Sequence, residues 1–341
     1  MKLSEFDYHL PPELIAQYPP VRRTSSRMLV VDRRDGSLTD SHFSRLPDFI
    51  DDSCFLVVND SRVIRARLIG RRQTGGKVEV LLVRRLGDAR WKAMLQPSGR
   101  VREGEEVLFS QRYGLTVTDS PGGVEREVAF ATAGDERRIL ARFGAVPLPP
   151  YIHRDPSKAD SRRYQTVYAD PAGSVAAPTA GLHFDRHMLA RLKRNLIPVE
   201  RVTLHVGPGT FKPVQVEDIS KHRIDPELAV ISKPTAEAIN KWKKQGRKLL
   251  AVGTTSVRTL ESAADGDGTV SPLSAPVDLF IYPPYRYKAV DALLTNFHLP
   301  KSSLLMLVAA FCGRETLFRA YEHAIAARYR FYSYGDCMLI L

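Results

Sequence analysis

The middle of the chain places the tightest constraint on the fold. Residues 63–130 are cut into short runs rich in Val, Leu and Arg, separated by turn signals. The runs fall at 66–70, 77–84 after Thr74-Gly-Gly76, 91–96, 106–109, 115–118, and 124–131 after Pro121-Gly-Gly123. Strand-length runs at this spacing, with no helical period between them, predict a small β-barrel or sandwich. The flanks read differently. Residues 55–58 form a buried strand ending in Asn59-Asp60, and beyond the stiff extended linker Pro147-Leu-Pro-Pro-Tyr151 helices and strands alternate. Asp185 caps a helix to about Asn195, a strand follows at 198–206, and Ser232 caps a helix that stops at Gly246. Further strands are expected at 248–252, 277–282, 290–295 and 337–341, with helices at 255–264, 302–312 and 315–329. Such alternation builds a sheet covered by helices. The 55–58 strand belongs to that layer. The expected organisation is therefore an α/β domain with a mixed sheet or barrel-like core, residues 1–62 and 151–341, interrupted by an all-β barrel of residues 63–150.

Lys and Arg number 50 against 38 Asp and Glu, a net charge of +12, which favours a polyanionic partner. The most apolar run, residues 304–312, is far below the roughly 18–20 residues that cross a bilayer, and the first residues lack the apolar stretch of a secretory signal. Cys54, Cys312 and Cys337 lie far apart with no Cys-x-x-Cys pair. That excludes a disulfide framework and a thiolate zinc site, and places the chain in a reducing, cytoplasmic compartment.

Four segments of small and polar residues sit beside expected strand ends or helix starts: 175–184, 205–211, 252–262 and 295–303. In open α/β sheets the ligand crevice lies outside the carboxyl ends of the strands, so these loops converging would make one site. Each has a plainer reading. Gly253-Thr254-Thr255 could offer amides to an anion at a helix start, or a Thr could simply cap the helix. Gly207-Pro-Gly209 fails the dinucleotide pattern, since Lys212 stands where a third Gly belongs, and reads as a tight turn. His183 and His187 have the spacing of a zinc pair, but Phe184 replaces the Glu of a metalloprotease. Taken singly, His183, His205 and His298 each read as structural histidines. There is no Gly-x-Ser-x-Gly elbow, and Asp265-Gly-Asp-Gly268 lacks the closing Glu of a calcium loop.

The β segment carries Arg62, Arg65, Arg67, Arg71, Arg72, Lys77, Arg84, Arg85, Arg90 and Lys92, and the amino-terminal arm adds Arg22, Arg23 and Arg27. Arg alternating with apolar residues on strands puts a charged face opposite the core. The alternatives are a solvated barrel face and a surface that tracks a nucleic-acid backbone.

Taken together, the chain resembles one family nearly end to end: the S-adenosylmethionine:tRNA ribosyltransferase-isomerases, the QueA family of queuosine biosynthesis. The resemblance is carried by Phe6-Asp-Tyr8 with Leu14-Ile-Ala-Gln17, by Val58-Asn-Asp-Ser-Arg-Val63 and by Pro147-Leu-Pro-Pro-Tyr-Ile152. It continues through Tyr164-Gln-Thr-Val-Tyr168, Val175-Ala-Ala-Pro-Thr-Ala-Gly-Leu-His-Phe184 and Thr203-Leu-His-Val-Gly-Pro-Gly-Thr-Phe211. Val252-Gly-Thr-Thr-Ser-Val-Arg258, Thr295-Asn-Phe-His-Leu-Pro-Lys301 and Tyr329-Arg-Phe-Tyr-Ser-Tyr-Gly-Asp336 complete it. One stretch departs: the family's usual His-x-Met-His-x-Glu is His222-Arg-Ile-Asp-Pro-Glu227 here, with Asp225 in place of the second His.

The resemblance implies transfer of the ribosyl part of S-adenosylmethionine to preQ1 at the tRNA wobble position. The ribose rearranges to an epoxycyclopentanediol, while adenine and methionine leave. S-adenosylmethionine is then a co-substrate; no cofactor, metal or membrane is implied, and a monomer is expected. His183 and His298 are the candidates for base and acid, with Asp60 orienting one of them. Arg258 and the Thr254-Thr255 turn are candidates for methionine's carboxylate. Thr179, Gly181, His205, Gly207, Gly209, Thr210, Gly253 and Asn296 complete the expected substrate loops, and Arg22, Arg23, Arg65, Arg67, Arg71 and Arg72 the expected tRNA surface. The competing class is a non-catalytic RNA-binding protein whose loops clamp a backbone; Trp91, Phe109 and Tyr113 form no RNP-like motif to support it.

Overall fold

A computed structural model describes residues 1–119, 125–211 and 214–341, apart from the side chains of Thr210 and Phe211. The turn at 121–123 and the start of the strand expected from Val124 lie outside the described residues.

An edge hairpin, β1 (Arg27–Val31) and β2 (Leu38–His42), opens the regular structure, followed by β3 (Cys54–Asn59) and the short β4 (Arg62–Val63). The inserted unit then runs through β5 (Arg67–Arg72), β6 (Lys77–Gly87), β7 (Arg90–Gln96), β8 (Glu106–Leu108), β9 (Gly114–Asp119) and β10 (Glu125–Phe130). These close into an antiparallel barrel in the order β10-β7-β6-β5-β8-β9. Period-2 alternation fills it: Val78, Val80 and Leu82 of β6 meet Trp91, Ala93 and Leu95 of β7 inside. Helix α1 (Ala133–Phe143), capped by Thr132 accepting from the Asp135 amide, packs Ile139 against that core. This helix was not expected. Its apolar face is short, Ile139, Leu140 and Phe143 within a segment that carries five charged residues.

The chain returns through α2 (Asp160–Arg163), β11 (Ala172–Ser174), α3 (Arg186–Arg194), β12 (Val199–Leu204), β13 (Glu227–Ile231), α4 (Lys233–Lys244), β14 (Lys248–Val252) and α5 (Thr254–Ala263). It finishes with β15 (Leu273–Val277), β16 (Ala292–Asn296), α6 (Ser303–Cys312), α7 (Arg314–Ala326) and β17 (Cys337–Ile340). Among the described residues the main sheet has the order β15-β13-β12-β3-β14-β16-β17-β1-β2. The fold is therefore a mixed α/β sheet interrupted by a barrel, as the sequence predicts.

β3 shows why the sheet lies in the middle. Phe55 and Val57 face one apolar layer, with Leu249, Ala251 and Leu293, while Leu56 and Val58 face the other, with Leu250, Val252 and Leu294. A strand covered on both sides reads as a continuous apolar run. The expected caps are present: Asp185 and Ser232 accept from the amides of Met188 and Thr235, and Ser302 likewise accepts from the Leu305 amide. One strand moves. The apolar stretch 277–282 was expected to pair, but β15 spans Leu273–Val277 and places Pro276 opposite Leu228. β15 ends the sheet, so a residue without an amide is tolerated there. Among the described residues no helix is long and apolar enough to cross a membrane.

Candidate active site

β12, β3, β14 and β16 are parallel neighbours, so their carboxyl ends share one edge of the sheet. Leu204, Asn59, Val252 and Asn296 end these strands, and the loops after Leu204, Val252 and Asn296 are three of the polar segments singled out above. β17 runs antiparallel to β16, which brings the preceding residues 332–336 to the same edge. The 3-10 turn Thr179–His183 lies across the end of β16.

Between these loops is a cleft of about 800 Å³, counting the open solvent at its mouth. Thr179, Gly253, Thr254, Thr255, Asn296 and His298 line it, and with Val206 all four polar segments meet there. Tyr151, Thr295, Tyr332 and Ser333 also line it, and none of them was assigned a site role from sequence. Among the described residues, none of those lining the cleft is Asp, Glu, Lys or Arg.

His298 is held rigidly at the cleft. Its amide donates to the Tyr321 hydroxyl at 2.8 Å, and its carbonyl accepts from the Tyr8 hydroxyl. Its Nε2 lies 2.8 Å from Thr295 Oγ1. Burial pushes its pKa from 6.5 down to about 3, so the ring is neutral at pH 7. His183 is placed differently, behind the cleft wall. It is buried, its Nδ1 lies 3.0 Å from Ser26 Oγ, and its Nε2 lies 3.2 Å from Asn296 Nδ2. Desolvation, helped by the positive charges of Arg330 and Arg23, pushes its pKa down to about 3 as well. His187 is exposed on α3 while His183 is buried, so the two do not form a metal pair.

Asn296 is the hub. Its Nδ2 donates to the Tyr332 carbonyl at 3.0 Å and to the Asp336 carbonyl at 3.4 Å. Turning the amide over would set oxygen against two carbonyl oxygens, so the network fixes its orientation. Oδ1 is thereby left buried without a partner. Thr255 Oγ1 and the Tyr332 hydroxyl are buried and unpartnered too. Tyr332 adopts φ +72°, a left-handed conformation that costs a bulky residue about 1–3 kcal/mol. Bonds from Tyr332 N–H to the Phe297 carbonyl and from Asn296 to the Tyr332 carbonyl hold it there.

At the start of α5 the helix cap is Gly253, at φ +89°, where a side chain would be strained. The first amides therefore carry no side-chain cap, and the expectation that a Thr caps this helix does not hold. Those amides form the positive end of the helix dipole at the cleft.

The remaining expected site residues lie around this centre. Arg258 is buried, salt-bridged to Glu227, and donates to the carbonyls of Val277 and Leu279. Glu227 in turn accepts from the Gly207 amide at 2.8 Å. Arg258 and Gly209 line a neighbouring pocket with His222 and Asp225, which shares Leu304 with the cleft. A Cβ on Gly209 would come within 2.5 Å of Asp225 Oδ2, and one on Gly181 within 2.2 Å of the Tyr168 hydroxyl, so both glycines serve close packing. Asp60 accepts from Thr203 Oγ1 at 2.7 Å, and burial raises its pKa. Among the described residues no hydrogen bond joins Asp60 to His183 or His298. Its charge acts instead on His205, whose pKa burial lowers and Asp60 raises. The side chain of Thr210 lies outside the described residues.

The arginines divide. Arg67 grips Glu79 at 2.7 and 2.9 Å, Arg72 is bidentate on Glu105, and Arg23 donates to the carbonyls of Leu182, Arg162 and Gln165. Arg22, Arg65 and Arg71 are exposed; the side chains of Arg65 and Arg71 donate to the carbonyls of Ala141 and Gly75.

Fold and cleft define an α/β protein with a ligand site at the carboxyl edge of its sheet and a basic barrel inserted beside it. Comparison with known proteins is specific. The family described as queuosine biosynthesis protein matches residues 3–340, and the chain belongs to that family. It is 50% identical to the S-adenosylmethionine:tRNA ribosyltransferase-isomerase of Symbiobacterium thermophilum and 49% identical to that of Geobacter sulfurreducens, with 100% of each chain covered in both cases. It is also similar to the crystal structure of S-adenosylmethionine tRNA ribosyltransferase from Thermotoga maritima, at 34% identity and a TM-score of 0.56, over 99% of this chain and 100% of that one.

Proposed function

We propose that this chain transfers and isomerises the ribosyl part of S-adenosylmethionine onto the aminomethyl group of preQ1 at the wobble position of a tRNA anticodon. The product is epoxyqueuosine-tRNA, and adenine and methionine leave. The observation that carries the reading is the end-to-end correspondence with relatives of that name, half of all positions being identical. The cleft supplies what the chemistry asks for.

A sulfonium acidifies the neighbouring ribose C5′ proton, and a positioned neutral histidine can remove it. His298 is that histidine: it lines the cleft and its backbone is clamped by Tyr8 and Tyr321. It must accept a proton before it can deliver one, which makes it first the base and only then a donor to the departing adenine. His183 acts through Asn296, whose amide it faces. The uncapped amides at the start of α5 receive methionine's carboxylate, while Arg258 stays with Glu227 and holds the turn at Gly207. Any orienting role of Asp60 falls on His205. The mostly apolar wall shields reactive intermediates from water. The tRNA backbone lies along the barrel, reached by exposed arginines such as Arg65 and Arg71 together with Arg22 of the arm.

The test is direct. Incubation with S-adenosylmethionine and preQ1-containing tRNA should release free adenine, and omission of the tRNA should abolish the release. Adenine release that ignores the tRNA, or none at all, would overturn the reading.

A further inference from the structure

The unpartnered atoms around the cleft say more than that a ligand binds. Asn296 is 2% exposed and Tyr332 6%, yet among the described residues Asn296 Oδ1 and the Tyr332 hydroxyl have no partner. A buried acceptor left unpaired is costly, so it marks a place where a ligand's donor completes the bond. Asn296 can only accept there, because its Nδ2 already faces three acceptors, the Tyr332 and Asp336 carbonyls and His183 Nε2, which share its two hydrogens. The group it meets must therefore donate.

The rest of the lining restricts what that donor is. With no carboxylate among the described lining residues, an ammonium group would enter without a counter-charge. An uncharged N–H remains. Tyr332 and Tyr151 pack ring on ring, with centroids 4.3 Å apart, and the Tyr151 hydroxyl is tied to Ser333 Oγ at 2.6 Å. Small residues, Ala177, Pro178 and Ala180, form another part of the wall. A fixed aromatic wall, small residues and a single-minded acceptor suit a flat, neutral heterocycle.

We propose that Asn296 Oδ1 and the Tyr332–Tyr151 pair form a slot for an uncharged purine-type ring, with Asn296 accepting from its exocyclic amino group and Tyr332 bonding a ring-edge atom. The inference rests on the reading above, which brings two such rings to the protein: the adenine of S-adenosylmethionine and the deazaguanine of preQ1. In this slot Asn296 and Tyr332 determine specificity, while His183, through its contact with Asn296 Nδ2, is a positioning residue.

The experiment measures equilibrium binding of adenine, hypoxanthine and free preQ1 base to the wild-type chain and to two variants. Hypoxanthine replaces the amino group by a carbonyl and leaves Asn296 facing an acceptor, so it should bind at least about tenfold more weakly than adenine. In Asn296→Ser that difference should shrink to within about threefold. Tyr332→Phe deletes only an unpartnered hydroxyl; it should weaken adenine by about three- to tenfold with no loss of melting temperature. If preQ1 base instead shows the dependence on Asn296 and adenine does not, the slot belongs to the acceptor ring. Neither ring responding to Asn296→Ser, or adenine and hypoxanthine binding alike to the wild type, overturns the slot. The same wild-type preparation is assayed for tRNA-dependent adenine release. Release without ring discrimination sinks the slot alone, and absence of release sinks the reading beneath it.

Discussion

In the barrel Arg67 holds Glu79 and Arg72 holds Glu105 through paired hydrogen bonds, whereas around the cleft Asn296 Oδ1, Thr255 Oγ1 and the Tyr332 hydroxyl have no partner among the described residues. The contrast separates two uses of polar residues. The barrel pairs some of its charges internally, as at Arg67 and Arg72, which ties strands together, and leaves many other arginines exposed to meet an external anion. The cleft keeps buried polar atoms unsatisfied, each at about 1–3 kcal/mol, and such a cost is recovered when a ligand fills the gap. The barrel has an orphan of its own in Trp91 Nε1, but the cleft gathers three around one cavity.

Four changes would break or sharpen this contrast. The largest effect is expected at the cleft: His298→Asn should fold and bind tRNA, yet lose roughly 10²–10⁴-fold in turnover. Turnover within a few-fold of wild type would remove His298 as the proton carrier. Next comes acid stability. His183 stays neutral in the folded chain down to about pH 3, whereas unfolded it takes up a proton below its ordinary 6.5. The unfolded state thus binds more protons in that window, and stability is full above pH 6.5 and lost as pH falls toward 3. A His183→Asn variant, though less stable at pH 7, should show a shallower fall in melting temperature between pH 6.5 and 4. Parallel curves would contradict the buried neutral state.

The barrel should answer more mildly, and differently at adjacent positions. Arg72→Glu sets two carboxylates together with Glu105 and should cost about 1–3 kcal/mol in chemical denaturation. Arg71→Glu should leave stability unchanged and weaken tRNA binding across sequences, flattening its salt dependence by up to about one unit of slope. If Arg71→Glu leaves the slope unaltered, the RNA lies elsewhere, with the arm at Arg22 the next surface to reverse.

Local patterns were legible in the sequence because they are written within a few residues. The barrel strands alternate, β3 is apolar throughout, and Asp185, Ser232 and Ser302 stand where helices begin. What escaped depends on partners distant in the chain. The β1–β2 hairpin is recognisable only once β17 lies beside β1, and β15 carries Pro276 because it ends the sheet. The same limit applied to the site. Thr254, Thr255, Asn296 and His298 could be chosen by residue type and position beside a strand end. That Arg258 is already neutralised by Glu227, that His183 lies behind the wall, and that Tyr332 contributes an unpaired hydroxyl follow only from packing. A clue to Tyr332 did exist: four aromatic residues crowd into Tyr329-Arg-Phe-Tyr-Ser-Tyr334, just before the closing strand.

The central claim is that the cleft directs the ribosyl group of S-adenosylmethionine, not its methyl group, to RNA. The most direct measurement uses S-adenosylmethionine labelled separately on the ribose and on the methyl carbon, with preQ1-containing tRNA as acceptor. The account predicts ribose label in the tRNA and methyl label recovered in free methionine. Methyl label retained on the RNA, with ribose label left on the nucleoside product, would contradict it.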